Sequence, residues 1–398
     1  MSAPPTRLMT PAFVALFVAA LAFFTAGSTV LPVASRFAAG PLGADSIGVG
    51  VAIGAFSVAA LVMRPVVGWA SDRFGRRPLL LGGGLLTVTA LALHLAVTSL
   101  PAFIVVRSIF GIAEAFFFVA ALAAISDLAP DDRRGEAINL GSLSVYLGLA
   151  IGPIVGETIL SAGGYTAVWL AAAALATLAT LLTLLVPETA PAIVAPHGGP
   201  RARLRLIHPA GIFPGFLILT GAWGMAGFFA FIPLYATAIG MDGASTALAL
   251  YALIVVILRI AFAKLPDQMG AARLSGAALV ITAAGLAIIA LAGEPIGLLA
   301  GTAVFATGVA FMFPGLMSLA VARVDETERG SVVGTASAFL DLSFGLSPAL
   351  LGVVVGVSGF AIAFGLSALV ALFGAVLLFL RRDTVTRPSL AASARLPG

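Results

Sequence analysis

Gly68-Trp69-Ala70-Ser71-Asp72-Arg73-Phe74-Gly75-Arg76-Arg77-Pro78 is a polar, glycine-punctuated, arginine-rich loop set between two long apolar runs. A reduced copy lies 195 positions later, where Arg259, Asp267 and Gly270 repeat the spacing of Arg64, Asp72 and Gly75. At the same offset Arg134-Gly135 meets Arg329-Gly330, and the run ending in Pro153 meets a more divergent run ending in Pro348. Three regions in one register point to an internal duplication.

The chain around this loop is 61% hydrophobic and only 10% charged, with a mean hydropathy of +1.14. A soluble domain carries roughly 45–50% apolar and about 25% charged residues, so lipid is the expected solvent for most of the chain. Runs of about 20 apolar residues cross a bilayer as helices. Twelve such spans are expected, near 11–34, 47–69, 79–97, 102–124, 137–160, 165–186, 210–238, 244–263, 274–293, 295–322, 331–355 and 358–380. The alternating pattern of barrel strands is absent, so the fold class is all-α, in two pseudo-symmetric six-helix bundles. The expected division is 1–186 for the first bundle, 187–209 for a Pro/Gly/Arg-rich linker, 210–380 for the second bundle and 381–398 for a tail.

Arginines and the lone lysine fall in alternate connections, and the other connections hold only Arg36. This positive-inside asymmetry predicts a multi-pass protein of the plasma (cell inner) membrane with both termini and the linker in the cytoplasm. It also accounts for the basic pI of about 10.1 without a nucleic-acid partner. The first apolar run is read as a span and not as a cleavable leader. With no cysteine, there are no disulfides or thiolate metal sites, and no metal is expected. No phosphate-binding glycine loop is present, so ATP hydrolysis within this chain is not expected.

Charge is also unevenly spread among the spans. Spans 3, 6, 9 and 12 have no ionisable Asp, Glu, Arg or Lys inside them, whereas spans 2, 4, 5, 8 and 11 carry Arg64, Arg107, Glu114, Glu157, Arg259 and Asp341. A charge at membrane depth costs at least ~2.5–3.5 kcal/mol on insertion scales, so those helices should turn that face to protein or water. One helix in three is then peripheral, and the other eight should surround a polar pathway. Arg64, Arg259 and Glu157 are placed near helix ends, and His94 is read as a packing residue.

On these motifs the chain resembles a transporter of the major facilitator superfamily over essentially its whole length, with likeness to the drug:proton antiporter branch. Parallel halves built from inverted repeats are taken from that resemblance. The stretch from Gly68 to Arg77 resembles the family's loop 2–3 motif. The resemblance implies a conformational latch of Gly68, Asp72, Arg73, Gly75, Arg76 and Arg77, with Asp72 at the start of span 11 near Ser331 and the reduced copy at Asp267 and Gly270. An anion at a helix N-terminus is favoured by about 0.3–1 kcal/mol. The matching loop 4–5 motif contains Asp127 and Arg134, and Asp127 is the preferred partner of Arg76.

Arg107-Ser108-Ile109-Phe110-Gly111 is similar to the family's helix-4 pattern associated with proton handling. Arg107 and Glu114 lie two helical turns, about 10 Å, apart on one face, too far for direct contact. Burial and a neighbouring cation act on a carboxylate in opposite directions, so Glu114 is the expected proton carrier. Asp341, at the repeat position of Tyr146, is expected to share coupling or to touch substrate. Gly148, Gly152, Pro153 and Gly156 resemble the exporters' helix-5 motif, from which Glu157 departs. Phe23, Phe110, Phe117, Tyr146, Phe228 and Phe311 are the expected cavity residues. Asn139 and Gln268 are the only side-chain amides, which disfavours a sugar and suits a lipophilic cargo.

The resulting expectation is no enzyme but a proton-coupled secondary transporter that exports a small lipophilic or amphipathic compound by alternating access. It needs no cofactor beyond the proton gradient. Its partners are substrate, protons and membrane lipids, and it acts as a monomer. A proton-coupled importer and a non-transporting receptor or lipid-binding scaffold remain as alternatives.

Overall fold

The computed structural model describes residues 8–130, 133–190, 207–262, 265–322, 324 and 329–381. Among them there is no strand, and the helices are α1 (Pro11–Ala39), α2 (Ser46–Phe74), α3 (Arg76–Leu93), α4 (Leu100–Asp127), α5 (Arg134–Thr183), α6 (Pro209–Ala238), α7 (Ser245–Ala261), α8 (Leu265–Met269), α9 (Ala271–Ala292), α10 (Pro295–Val321) and α11 (Arg329–Leu380). Short polar caps mark where hydrocarbon-compatible helix begins. Thr10 Oγ1 accepts from Phe13 N at 3.2 Å, Asp45 Oδ1 from Gly48 N at 2.7 Å, and His208 Nδ1 from Ala210 N at 3.2 Å. Proline stands in the first turn of α1, α4, α6 and α10, where its missing N–H costs nothing.

Among the described residues nine helices are long and apolar enough to cross a membrane. Two of these, Leu143–Thr183 and Ser331–Leu380, run 41 and 50 residues. A bilayer core about 30 Å thick needs only about 20. Each long helix is interrupted by a glycine at positive φ, Gly164 at φ 72 and Gly359 at φ 82. Those two glycines are 195 positions apart, as are Gly75 (φ 94) and Gly270 (φ 77). The backbone thus repeats the duplication at its breaks.

The helices differ from the expected spans in two informative places. The first helix runs on to Ala39, so Arg36, expected in a connection, is in its last turn. Arg64, expected near a helix end, lies ten residues before the end of α2.

The chain divides into two compact units, Met1–Ala202 and Arg203–Gly398. In the first, α1 packs on α5, α2 and α3 on α4, and α3 on α5. Its core gathers Phe13, Leu16, Phe23, Leu80, Phe117 and Ala124. In the second, α6 packs on α11 and α9 on α10, around Leu217, Ile218, Leu279, Met312 and Leu316. Lipid is as apolar as leucine, so close backbone approach must supply the association. Glycines provide it: a Cβ at Gly111 would collide with the Phe56 carbonyl on α2, and one at Gly285 with the backbone of Phe305 on α10.

Candidate functional site

The loop between α2 and α3 is a four-way junction within the first unit. Gly75 turns the chain at φ 94, and a Cβ there would overlap the Glu188 carboxylate. Having no side chain, Gly75 leaves the first amides of α3 uncapped. Glu188 supplies the cap from beyond α5: its Oε1 accepts from Arg76 N at 2.8 Å and its Oε2 from Arg77 N at 3.2 Å. Oε1 also accepts from Thr189 N and Ala190 N, at 2.9 and 2.8 Å. Burial pushes the Glu188 carboxyl upward, but these four N–H donors outweigh it and hold it below its ordinary value.

The arginine side chains complete the junction. Arg76 Nε donates to Asp127 Oδ2 at 3.0 Å, so the structure brings together the pair expected from the two loop motifs. Arg76 Nη1 donates to the Ser71 carbonyl near the end of α2 at 2.8 Å, and Arg77 Nη2 to the Leu184 carbonyl after α5 at 3.1 Å. Thr189 Oγ1 donates to the same Asp127 oxygen at 3.3 Å. Arg73 leans over Trp69 and Phe74 at 5.6 and 5.8 Å on the exposed rim.

Glu188, in the first residues of the expected linker, thus holds the α3 cap. Gly68 faces open space, since a Cβ there meets nothing within 4 Å. The side chains of Asp72, Arg134, Tyr146 and Asp267 lie outside the described residues.

Deeper in the first unit, α4 carries two ionisable groups with different neighbours. Glu114 is half-buried, and its Oε2 is sealed from solvent without a hydrogen-bond partner. The cation acting on it is Arg64 from α2, whose guanidinium lies 4.9 Å from the centre of the Phe118 ring. Arg107, two turns away, is only 2% exposed. Its Nε makes one long contact, 3.4 Å, to the Ala52 carbonyl, and its guanidinium lies over Phe56 at 5.0 Å and Phe110 at 5.9 Å. His94 is buried beside Trp169, 4.7 Å between ring centroids, with Nδ1 at 2.7 Å from the Ala90 carbonyl. At the far end of α1, Arg36 Nη1 binds Glu157 Oε2 at 2.9 Å, which accounts for the acid that interrupts the glycine-rich motif of α5.

That motif forms a seam. A Cβ at Gly148 would meet Phe24 and the amide of Thr25, one at Gly152 Ser28 and the amide of Thr29, and one at Gly156 the Thr29 carbonyl. Ser28 Oγ donates across the seam to the Gly148 carbonyl at 2.7 Å. In the second unit Asp341 is half-buried on α11, seven residues before Pro348.

Most of the expected cavity rings turn out to be core. Phe23 stacks on Phe117 with centroids 3.8 Å apart, Phe110 meets Phe56 edge-on, and Phe228 is enclosed by Tyr251 and Phe305. Phe23, Phe110, Phe117 and Phe228 are at most 1% exposed. Stacked rings fill a bundle at low entropic cost, so their faces are spent on each other. Phe311 is half-buried and meets Phe262 edge-on. Sequence reasoning missed Glu188, the charge of Arg64 acting on Glu114, and Phe56. Among the described residues no group of three or more His, Asp or Glu side chains is placed to hold a metal ion.

The comparisons with known proteins bear on the whole chain. It is 28% identical over 342 residues to an uncharacterized MFS-type transporter of Salmonella typhimurium, covering 83% of this chain and 86% of that one. It is 28% identical over 355 residues to an uncharacterized MFS-type transporter of Burkholderia pseudomallei, covering 87% and 86%. Among solved structures, a POT family transporter in complex with a thioalcohol-conjugated peptide superposes with a TM-score of 0.79 at 14% identity, covering 94% of this chain and 96% of that one. A bacterial homolog of the human lysosomal transporter Spinster gives 0.75 at 15%, covering 94% and 96%, and the human organic anion transporter MFSD10 gives 0.69 at 20%, covering 94% and 100%. These likenesses show a shared fold. The family model of the Major Facilitator Superfamily matches residues 13–324 and 243–397. The chain, a multi-pass helical membrane protein, therefore belongs to the Major Facilitator Superfamily of transporters.

Proposed function

We propose that the chain is a proton-coupled antiporter that exports a small lipophilic or amphipathic compound by alternating access. The observation that carries the reading is Glu114. An acid inside an apolar helix, with one oxygen sealed and unbonded and a cation from the neighbouring helix acting on it, is placed to exchange a proton when its surroundings change. Asp341 supplies a second acid inside a span, in the other unit.

In this reading α5 and α11 each supply two spans, parted at Gly164 and Gly359, and the total is twelve, with α7 as a short one. The loop junction lies on the cytoplasmic side of a plasma membrane, and its Asp72 holds that side shut.

The test is uptake of aromatic amphiphiles into acid-loaded proteoliposomes against protein-free controls. Antiport accumulates the compound in the acid lumen, whereas symport drives it out. Glu114→Gln is expected to abolish gradient-driven uptake and leave counterflow exchange. Undiminished gradient-driven uptake in both Glu114→Gln and Asp341→Asn overturns the mechanism.

A further inference from the structure

Arg64 and Glu114 belong to different helices, and the seam between those helices decides how near they come. α2 packs along α4. Arg107 Nε reaches the Ala52 carbonyl, a Cβ at Gly111 would collide with the Phe56 carbonyl, and further along the Arg64 guanidinium lies over the Phe118 ring at 4.9 Å. Ala52, Phe56 and Arg64 thus meet Arg107, Gly111 and Phe118 in the same order, so the two helices run in one direction. The arginine arrives at the turn that follows Glu114. Glu114 and Phe118 are four residues apart and share a face of α4, about 6 Å along its axis.

Arg64 stands ten residues, about 15 Å, before the end of α2, and a long cationic side chain at such depth tends to extend toward water. Phe118 offers the guanidinium a ring face instead. The ring is itself braced. Phe24 on α1 meets it edge-on, with centroids 5.9 Å apart and planes at 88°, and Phe24 is fixed in turn by its close approach to Gly148 on α5. The other charged groups on α4 and on the helices packed against it are engaged or distant. Arg107 is two turns before Glu114, Arg36 pairs with Glu157, Arg76 pairs with Asp127, and Arg73 and Arg77 lie at the ends of α2 and α3. Among the described residues the cation acting on Glu114 is Arg64.

We infer that Phe118 is a positioning residue for proton coupling: its ring seats the Arg64 guanidinium one turn from Glu114, and that seat sets the pH range over which the acid exchanges its proton. The inference rests on the reading of Glu114 as the proton carrier and names the residue that tunes it. A guanidinium held near a carboxylate in a low-dielectric interior favours the charged form of the acid, and one that swings away to water does not. Leucine at 118 fills much of the space and offers no ring face, whereas tyrosine keeps the face. Loss of the seat therefore lets Glu114 hold its proton to higher pH.

Infrared titration of purified protein in lipid vesicles reads the acid directly and needs neither cargo nor gradient. The carbonyl stretch of protonated Glu114 is identified by its absence from Glu114→Gln. Phe118→Leu is expected to move the midpoint of that band to higher pH, by roughly threefold to tenfold in proton affinity. Phe118→Tyr should stay within about twofold of wild type, the margin for independent changes. Arg64→Met should shift the band at least as far as Phe118→Leu, and combining the two should add nothing, because no cation is left to seat. If Phe118→Leu does not yield monodisperse protein, Phe118→Met, similar in bulk and without a ring, takes its place. An unmoved midpoint in the ring-less variant, an equal shift in Phe118→Tyr, or a full further shift in the double variant each overturns the assignment and leaves the antiport reading standing. Absence of any titrating Glu114 band in wild type sinks the proton-carrier reading and this inference with it.

Discussion

Glu188 shows how one side chain can complete a motif that lies far from it. The helix it caps begins at Arg76, and the carboxylate arrives from 112 positions further along, so no local spacing reveals the contact. Its four amide bonds hold the carboxyl below its ordinary value of 4.5. The folded form therefore binds its proton less readily than the unfolded chain. The stabilisation is complete above the unfolded value and disappears as pH falls through the lowered folded value. Because the residue is exposed, Glu188→Gln is expected to cost only about 0.5–1 kcal/mol at neutral pH, the lower part of the range for helix caps. Tryptophan-monitored melting of detergent-purified protein from about pH 7 to about pH 3 measures this. The gap between wild type and variant should close toward the acid end, and a gap that stays constant removes the cap from the account. By contrast, Arg76 with Asp127 was legible, because both belong to polar motifs that end neighbouring helices on one side.

At the scale of elements, the two units solve the same packing problem with the hydroxyl on opposite sides of the seam. Gly148 and Gly152 correspond at the 195-residue offset to Ser343 and Ser347, and Phe24 and Ser28 to Leu219 and Trp223. In the first unit Ser28 on α1 donates to α5. In the second the donors are on α11: Ser343 Oγ to the Leu219 carbonyl at 3.3 Å and Ser347 Oγ to the Trp223 carbonyl at 2.7 Å. The glycine spacing made the first seam legible in the sequence. The second was hidden, because its serines carry no recognisable spacing and its close approach is made by Gly211, Gly215 and Gly227 on α6. The cavity residues were misjudged for a related reason: a phenylalanine in an apolar helix looks the same whether it faces a ring or a path. Gly152→Leu is expected to destabilise the protein by about 1–3 kcal/mol, since the Cβ alone reaches the Thr29 amide at 2.7 Å. Ser347→Ala should cost about 0.6 kcal/mol, the mean for a hydrogen bond between membrane helices. Midpoints of sodium dodecyl sulfate unfolding rank the two, and a larger loss for Ser347→Ala contradicts the seam as described.

At the scale of the whole molecule, the breaks at Gly164 and Gly359 decide how many times the chain crosses the membrane. Unbroken, α5 and α11 are 50 and 52 residues, roughly 75 Å long at 1.5 Å per residue, against a hydrocarbon core of about 30 Å. A helix of that length must either project far into water or turn back, and its apolar residues continue on both sides of the glycine. Turning back at both glycines would give the twelve crossings proposed above, each break an odd number of crossings from the Gly75 loop. In the proposed reading the arginine asymmetry sets that loop in the cytoplasm, and the two breaks then belong outside. The chain has no cysteine, so single cysteines report without background. Ser161 and Ser358 are exposed near the breaks, and Gln268 is exposed on α8. In intact cells a membrane-impermeant maleimide is expected to label Ser161→Cys and Ser358→Cys. It should label Gln268→Cys only after the membrane is opened. The reverse pattern inverts the orientation, and labelling of all three from one side removes the turn at Gly164 or Gly359 and with it the twelve-span topology.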